Sequence, residues 1–311
     1  MPNLHEEINF GAGKAFRLLR WNRSVDRVEV VLAPDRVALL EGKGNHWHYH
    51  RAMELTLIQR GAGTRFVADH IELFELGDLV LLGANVPHYW HQRGVSAGLS
   101  LQWDFPFEHG IWGFGEAAPL RQLSELALRG LHIKGVTAEI ARKRIESIAS
   151  LSGLARLAAF LEILDGLVTA PSRDIRPLSP RPFALHGSIE HQDAVRRAMS
   201  YILAQYREGV SLPELLRLTG MSRATFARQF RRHAGKSFST FINQVRLQAV
   251  RRALRESNEL VGNIALDHGF SQLSFFNRVF LREFGVSPSV YRRKSRAKVT
   301  PSGKTRKRQT Y

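Results

Sequence analysis

The hydrophobic rhythm of the chain changes twice, and each change marks a different kind of structure. Between residues 16 and 105, short runs rich in Val, Leu, Ile and Phe ("VEVVLA", "VALLEG", "ELTLIQRG", "TRFVADHIELFEL", "DLVLLG", "GLSLQWDF") are separated by Gly, Asp and Asn. Such runs predict strands, with hairpin turns at Gly61 and Gly63 and at Gly77-Asp78. Many short strands in one block predict a small barrel or sandwich. From Ala117 the apolar spacing lengthens to three and four. "APLRQLSELALRGL", with Leu120, Leu123, Leu126 and Leu131 on one side, "TAEIARKRIESIASL" and "LARLAAFLEILDGLV" each predict a helix. In the last of these, Leu154, Leu157, Leu161, Leu164 and Val168 form a narrow seam, which either packs on the strands or pairs with a second copy.

Residues 170–188, "APSRDIRPLSPRPFALHGS", hold four prolines and little periodicity, which predicts a semi-stiff linker. Helical spacing resumes in "HQDAVRRAMSYILAQYRE" through Val195, Met199, Ile202, Leu203 and Tyr206. Two helix-turn-helix patterns follow. The first has a short helix over 212–218, a turn at Gly220, a cap at Ser222, and a helix that turns Phe226 and Phe230 inward and Arg223, Ala224, Ala227, Arg228 and Arg231 outward. The second, over 261–293, turns at Gly269, opens its second helix at Ser271 and caps a closing helix with Ser287 ahead of Pro288. Ile264, Ala265, Phe270, Phe276, Val279, Phe280 and Phe284 share its apolar face, leaving Gln272, Ser274, Asn277, Arg278 and Arg282 on other faces.

Between the two patterns a helix of about residues 237–257 turns Phe238, Ile242, Val245 and Ala249 inward. Its ~20 residues span ~30 Å, close to the ~34 Å between successive major-groove faces on one side of B-DNA. One chain can therefore offer two reading helices one DNA turn apart.

Charge sharpens this picture. The net charge of +17 belongs entirely to the C-terminal part: residues 191–311 carry 24 Lys or Arg against 7 Asp or Glu, and residues 1–190 carry 21 of each sign. A basic half that also holds helix-turn-helix patterns points to a nucleic-acid module joined to a neutral one. Residues 294–311, with seven Lys or Arg and no acid, are expected to be a disordered tail that adds salt-dependent phosphate affinity. At 311 residues the chain suffices for about two domains. With no cysteine it has neither a disulfide framework nor a thiolate metal site. It has no apolar run of signal-peptide or membrane-spanning length, so a cytoplasmic protein without a membrane partner is expected.

The second helix-turn-helix, ending "GFSQLSFFNRVFLREFGVSPSVYRR", resembles the DNA-binding domain of the AraC/XylS family of bacterial transcription regulators. The family pattern is met at Ala265, Gly269, Phe270, Ser274, Phe276, Arg278, Phe280, Gly285, Ser287, Pro288, Tyr291 and Arg292. The first motif matches at Leu215, Gly220, Met221, Ser222, Phe226, Arg228 and Phe230, with departures at Leu216, where Ala is usual, and Asn263, where an acid is common. The resemblance implies base-reading positions at Arg223, Ala224, Ala227 and Arg228 on one helix, with Arg231 beside them, and at Gln272, Leu273, Ser274, Asn277 and Arg278 on the other. It implies a regulator rather than an enzyme. Its partners would be double-stranded DNA, a small-molecule effector and a second copy of itself in a homodimer, with RNA polymerase a further candidate.

The neutral half carries chemistry of its own. "HWHYHRAMELTLIQRG" and "GDLVLLGANVPH" place His48, His50 and Glu54 at H-x-H-x(3)-E spacing and add His88. This resembles the two short motifs of the cupin barrel, whose three His and one Glu can hold a divalent metal. Alternate strand residues such as 48 and 50 share a face, so both rings can enter a barrel, and three imidazoles with one carboxylate suit Zn, Fe, Mn, Ni or Cu. In AraC-like regulators the same barrel often binds an organic effector without metal, so a metal cofactor is open but not required. His46, Trp47, Tyr49, Trp90 and Trp103 are further lining candidates, with Trp47 and Tyr49 facing away from His48.

The expected architecture is α+β. Residues 1–169 form a cupin-like effector barrel with dimerisation helices, 170–190 a linker, 191–293 a double helix-turn-helix domain and 294–311 the tail. The rival from another class is a metal-dependent cupin enzyme, a dioxygenase or isomerase, carrying a DNA-binding domain. A protein that coats DNA without sequence preference is a weaker rival.

Overall fold

Alternation at period two builds the first half. In the computed structural model, which describes residues 5–11, 14–41, 46–183 and 189–297, the strands are β1 (Phe16–Arg23), β2 (Arg27–Ala33), β3 (Arg36–Glu41), β4 (Met53–Val67), β5 (His70–Phe74), β6 (Leu79–Leu82), β7 (His88–Trp103), β8 (Leu131–Ile133) and β9 (Ile175–Pro177). They form one antiparallel sheet in the order β3-β2-β1-β7-β4-β6-β8-β9, with β5 also paired to β4. The expected closed barrel is not made by strand pairing among the described residues. Closure needs the first and last strands to share a ladder, and here β3 and β9 end the path.

Two strands dominate because they pair over their whole length. The 15-residue β4 and 16-residue β7 run antiparallel from Met53↔Trp103 to Val67↔His88. The hairpin expected at Gly61 and Gly63 is therefore absent, and β4 passes straight through both. Gly61 sits where the register shifts against β7; its φ is +100°, and a Cβ there would lie 2.9 Å from Ser96 Cβ. The glycine serves a bulge and a close strand approach, not a chain reversal. Gly77-Asp78 does turn the chain, but the strands it joins, β5 and β6, both pair with β4 instead of with each other.

The two faces of the sheet have different fates. Leu18, Leu55, Leu57, Leu99, Leu101 and Trp103 join a core with α1 (Pro119–Ala127), α2 (Gly135–Ile148) and α3 (Gly153–Val168). Each such leucine removed from water contributes about 1.5–3 kcal/mol before entropy is subtracted. The first of these helices stops at Ala127, so Leu131 opens β8 and does not extend the helical stripe. In α3 the seam splits: Leu164 is buried and Leu157 packs on the core, whereas Leu154 and Leu161 are exposed, and Phe160, Ile163 and Leu167 complete the core face. Within the stretch expected as a linker, Ile175–Pro177 form β9 on β8. Just before it, Asp174 accepts from the Thr137 backbone N–H (3.1 Å) and hydroxyl (2.9 Å), tying the strand to the start of α2.

The remaining helices are α4 (Ile189–Gln205), α5 (Leu212–Thr219), α6 (Arg223–Ala234), α7 (Phe238–Glu256), α8 (Val261–Asp267), α9 (Leu273–Phe284) and α10 (Pro288–Ala297). The chain divides into two compact units, Met1–Tyr201 with Leu212–Phe238, and Ile202–Ser211 with Ser239–Tyr311. The core of the second unit is Leu247, Val250 and Leu254 of α7 against Ile264, Ala265, Phe270, Phe276, Val279 and Phe280, with Phe284 and Tyr291 at its edge. The expected inward residues Ile242, Val245 and Ala249 of α7 are buried and Phe238 is half-buried; the Leu247, Val250 and Leu254 face is a second one.

Capping follows expectation at two of three places. Ser222 accepts from the Thr225 N–H (3.3 Å), and Ser287 from the Val290 N–H (3.4 Å). Ser271 does not open α9: the residue ahead of that helix is Gln272, in extended conformation and with no side-chain cap bond. Residues 298–311, most of the expected disordered tail, lie outside the described residues. No helix among the described residues is long and apolar enough to cross a membrane.

Candidate functional site

Between the leucines of β4 and β7 stand Glu54, Thr56, Ser100 and Gln102, polar residues at alternate positions that face a pocket instead of the helices. His48 and His88 meet in an isolated antiparallel bridge, which fastens the segment before β4 to the start of β7 at this pocket. The three predicted histidines converge: ring centroids are 4.3 Å apart for His48 and His88, 5.1 Å for His50 and His88, and 5.8 Å for His48 and His50. All three are buried, as is Glu54. Apolar walls come from Leu19, Trp21, Val25, Val28 and Trp90.

A chain of polar contacts forms the floor. Glu54 accepts from Gln102 Nε2 (2.6 Å) and from the Thr56 hydroxyl (2.5 Å), and its Oε2 lies 3.0 Å from His50 Nε2 and 3.8 Å from His88 Nε2. Gln102 Oε1 accepts from Arg17 Nε (2.7 Å), and Arg17 Nη2 donates to Glu6 at 3.4 Å. The other oxygen of Glu6 lies 3.8 Å from His48 Nε2. Glu6 reaches the pocket because the segment before β1 bonds to the loop beside it, Glu6 N–H to the Tyr49 carbonyl at 2.9 Å.

Burial sets the protonation states. It pushes His48 down to about 3, helped by the neighbouring His88 and His50 rings, and His88 down to about 4, so both rings are neutral near pH 7. Burial alone would raise Glu54, but the His50 hydrogen bond, the His88 and His50 rings and the Thr56 hydroxyl outweigh it and hold this carboxyl well below the usual range. Neutral imidazoles beside an ionised carboxylate make a site able to take a cation or a hydrogen-bonding ligand.

Of the other lining residues expected, Trp90 lines the pocket, with a buried indole N–H that has no partner. Trp47 contacts Phe66 instead, and neither it nor Tyr49 lines the pocket. Trp103 points to the opposite face, where it packs on Phe160. Glu6, Arg17, Trp21 and Gln102 were not anticipated. The alternation of "LSLQW" did carry a signal for Ser100 and Gln102: polar residues at every second place of a leucine-rich strand mark an inward polar face.

The outward face of α6 and the outward face of α9, each taken within its own unit, are further candidate surfaces. Residues 222–230 and 272–280 show the same sequence of exposed and buried positions, fifty residues apart. Phe226 and Phe230 are buried like Phe276 and Phe280; Arg223, Ala224, Ala227, Arg228 and Arg231 are exposed, and so are Gln272, Leu273, Ser274, Asn277 and Arg278. The guanidinium of Arg278 lies 5.5 Å from the Phe275 ring centre, which holds it against its own helix. Each helix thus presents small or polar side chains with arginine beside them, a surface that fits a major groove.

Comparison with known proteins bears on these helices. Residues 215–294 match the family described as Helix-turn-helix domain. Over 113 residues the chain is 31% identical to an uncharacterized HTH-type transcriptional regulator of Staphylococcus aureus, covering 36% of this chain and 15% of that one. It is 29% identical over 106 residues to the regulatory protein PocR of Salmonella typhimurium, covering 34% of this chain and 35% of PocR. The chain therefore spans a minor share of the length of these relatives. The crystal structure of a probable AraC family transcriptional regulator from Rhodopseudomonas palustris is 32% identical, with 33% of this chain and 97% of that one covered and a TM-score of 0.32.

Proposed function

As a member of the AraC/XylS family through its helix-turn-helix domain at residues 215–294, the protein acts, we propose, as a sequence-specific DNA-binding transcription regulator controlled by a small molecule in the pocket of its N-terminal sheet. The observation that carries this reading is that α6 and α9 repeat the same run of exposed and buried positions, so that each helix by itself presents an equivalent small, polar and basic face. Arg228 and Arg278 are the principal readers, each able to make paired bonds to guanine or phosphate. Ala224 and Ala227 leave only methyl groups on the first helix, so its discrimination rests on its arginines.

Residues 1–169, with β9 added to their sheet, serve as the effector and dimerisation part, the rest of 170–190 as the connection and 191–293 as the DNA-binding part. In this reading Leu154 and Leu161, exposed on α3, belong to the surface that a second copy covers. A regulator of this kind works in the cytoplasm, where it meets promoter DNA. Effector binding shifts the balance between arrangements of the DNA-binding parts, which requires different affinity for each arrangement.

Selection of bound sequences from randomised duplex DNA, repeated with a panel of metabolites, tests the reading. A recovered motif whose affinity changes with one metabolite supports both halves. Binding without sequence preference removes the regulatory reading, and footprints identical under every metabolite remove the effector.

A further inference from the structure

Trp90 and Gln92 stand two apart on β7, so their side chains leave one face of the strand, and both line the pocket. The Trp90 ring is buried, and its indole N–H has no hydrogen-bond partner among the described residues. Gln92 Nε2 is buried and without a partner in the same way. Which end of that amide is open follows from its neighbours: the Trp21 indole donates to the Ser96 hydroxyl at 3.1 Å, and Ser96 gives its own hydrogen to Gln92 Oε1. The amide oxygen is thereby used, and the N–H groups are what remain. An indole N–H only donates, so both open groups are donors. Buried donors are paired in folded proteins as a rule, and two neighbouring ones on a pocket wall mark a ligand that brings the acceptor.

We propose that the pocket binds a small neutral molecule with a carbonyl group, its oxygen accepting from Trp90 Nε1 and Gln92 Nε2 and its apolar part lying against Leu19, Trp21, Val25, Val28 and Leu40. A carbonyl oxygen has two lone pairs and can take both hydrogens. Charge separates this class from its rivals. The carboxylates of Glu6 and Glu54 line the pocket, while the Arg17 guanidinium already donates to Gln102 (2.7 Å) and Glu6 (3.4 Å). A carboxylate ligand would therefore meet two like charges with the nearby guanidinium already engaged. An ammonium ligand would turn its N–H groups to donors that cannot accept them. Shape is set as well. Gly98 lies under the Trp21 ring, where a Cβ would overlap the indole, so that ring can form a wall. The cavity is about 60 Å³, room for roughly four to six water-sized groups. That such a ligand regulates DNA binding rests on the regulatory reading above; that it binds does not.

The test uses the full-length chain labelled with ¹⁵N in its five tryptophans, whose indole ¹H–¹⁵N signals are followed while probes are added. Trp90→Phe identifies the Trp90 signal by its loss. Cyclopentanone is expected to move that signal along a saturating curve and to leave those of Trp47 and Trp103, which do not line the pocket, in place. Cyclopentane, which lacks the acceptor, butyrate and cyclopentylammonium should each bind about tenfold more weakly or worse. Gln92→Leu should weaken cyclopentanone by about tenfold and leave cyclopentane unchanged, a difference that damage to the fold would not produce. Three results overturn the ligand class: cyclopentane, butyrate or cyclopentylammonium binding as tightly as cyclopentanone, a Trp90 signal that stays fixed up to the solubility of cyclopentanone, or Gln92→Leu acting alike on cyclopentanone and cyclopentane. Duplex binding decides the regulatory reading separately: a chain whose Trp90 signal shifts with cyclopentanone, yet which binds DNA without sequence preference, keeps the ligand class and loses the regulation.

Discussion

His48 and His88 exchange two backbone hydrogen bonds, from His48 N–H to the His88 carbonyl at 3.1 Å and from His88 N–H to the His48 carbonyl at 2.8 Å. Residues forty apart in sequence are thus fastened through their main chains, and the two imidazoles are carried in as a consequence. His88→Ala keeps the bridge and should cost about 1–3 kcal/mol through lost packing and the orphaned Val86 carbonyl. His88→Pro also removes the donor to His48 and should cost clearly more. Urea denaturation of the two variants gives the order, and equal midpoints would show that the bridge contributes nothing.

Arg228 and Arg278 stand at equivalent, exposed places on α6 and α9. Each replaced by alanine should weaken binding to the selected duplex by about 1–3 kcal/mol. Because neither side chain is buried, the melting temperature should stay within the scatter of surface substitutions. Fluorescence anisotropy at fixed salt measures the first effect and calorimetry the second. Unchanged DNA affinity in both variants would falsify the assignment of these helices as readers.

Two glycines separate conformational strain from collision. Gly61 and Gly77 both have positive φ, +100° and +85°, but a Cβ on Gly61 meets Ser96 and the Val95 carbonyl, while one on Gly77 meets nothing within 4 Å. Gly77→Ala should therefore cost about 1–2 kcal/mol, the penalty of a left-handed residue alone. Gly61→Ala should cost more, because β4 and β7 must also move apart. Comparable midpoints in denaturation would mean that the two strands give way easily.

Stability should fall on the acid side in two stages. His132 sits between Asp78 (3.3 Å) and Arg176 (3.0 Å), with Arg65 and Glu72 in the same cluster; burial first, then Arg65, pushes it down to about 4. Between pH ~6.5 and about 4 the unfolded chain takes up a proton there that the folded chain refuses, so folding weakens as the pH drops, by at most ~3 kcal/mol. Glu72 adds a lower stage. Although its own burial opposes ionisation, His70, Arg176 and Arg65 hold it below the usual carboxylate range, so its contribution is present above pH ~4.5 and lost further down. His132→Gln should make the upper stage shallower by its own share, leaving the shares of His48 and His88, which burial lowers over the same range, and leaving the lower stage. An unchanged profile in chemical denaturation from pH 7 to 4 would remove His132 as its source.

Local pattern carried much of the outcome. Phe226, Phe230, Phe276 and Phe280 are buried where a spacing of four put them, and the arginines between them are exposed, because a helix assigns its faces from its own sequence. The convergence of His48, His50 and His88 was legible for a similar reason: His48 and His50 are two apart in one extended segment, and His88 stands in a second recognisable motif. The end of α1 and the role of Gly61 were not legible. Leucine spacing continues past Ala127 although the chain has turned into β8, and a glycine in a long strand looks like a turn until its partner strand is known.

By itself, then, the sequence determined the helical faces, the strand-rich half and the charge division, all of which depend on neighbours one to four residues away or on composition. Tertiary structure alone decided that the sheet is an open path, that Glu6 and Arg17 join the pocket, and that His48, His50 and His88 each turn Nδ1 to a backbone carbonyl. Those outcomes depend on pairings between segments such as Glu6 with Tyr49 and His48 with His88, which no local periodicity encodes.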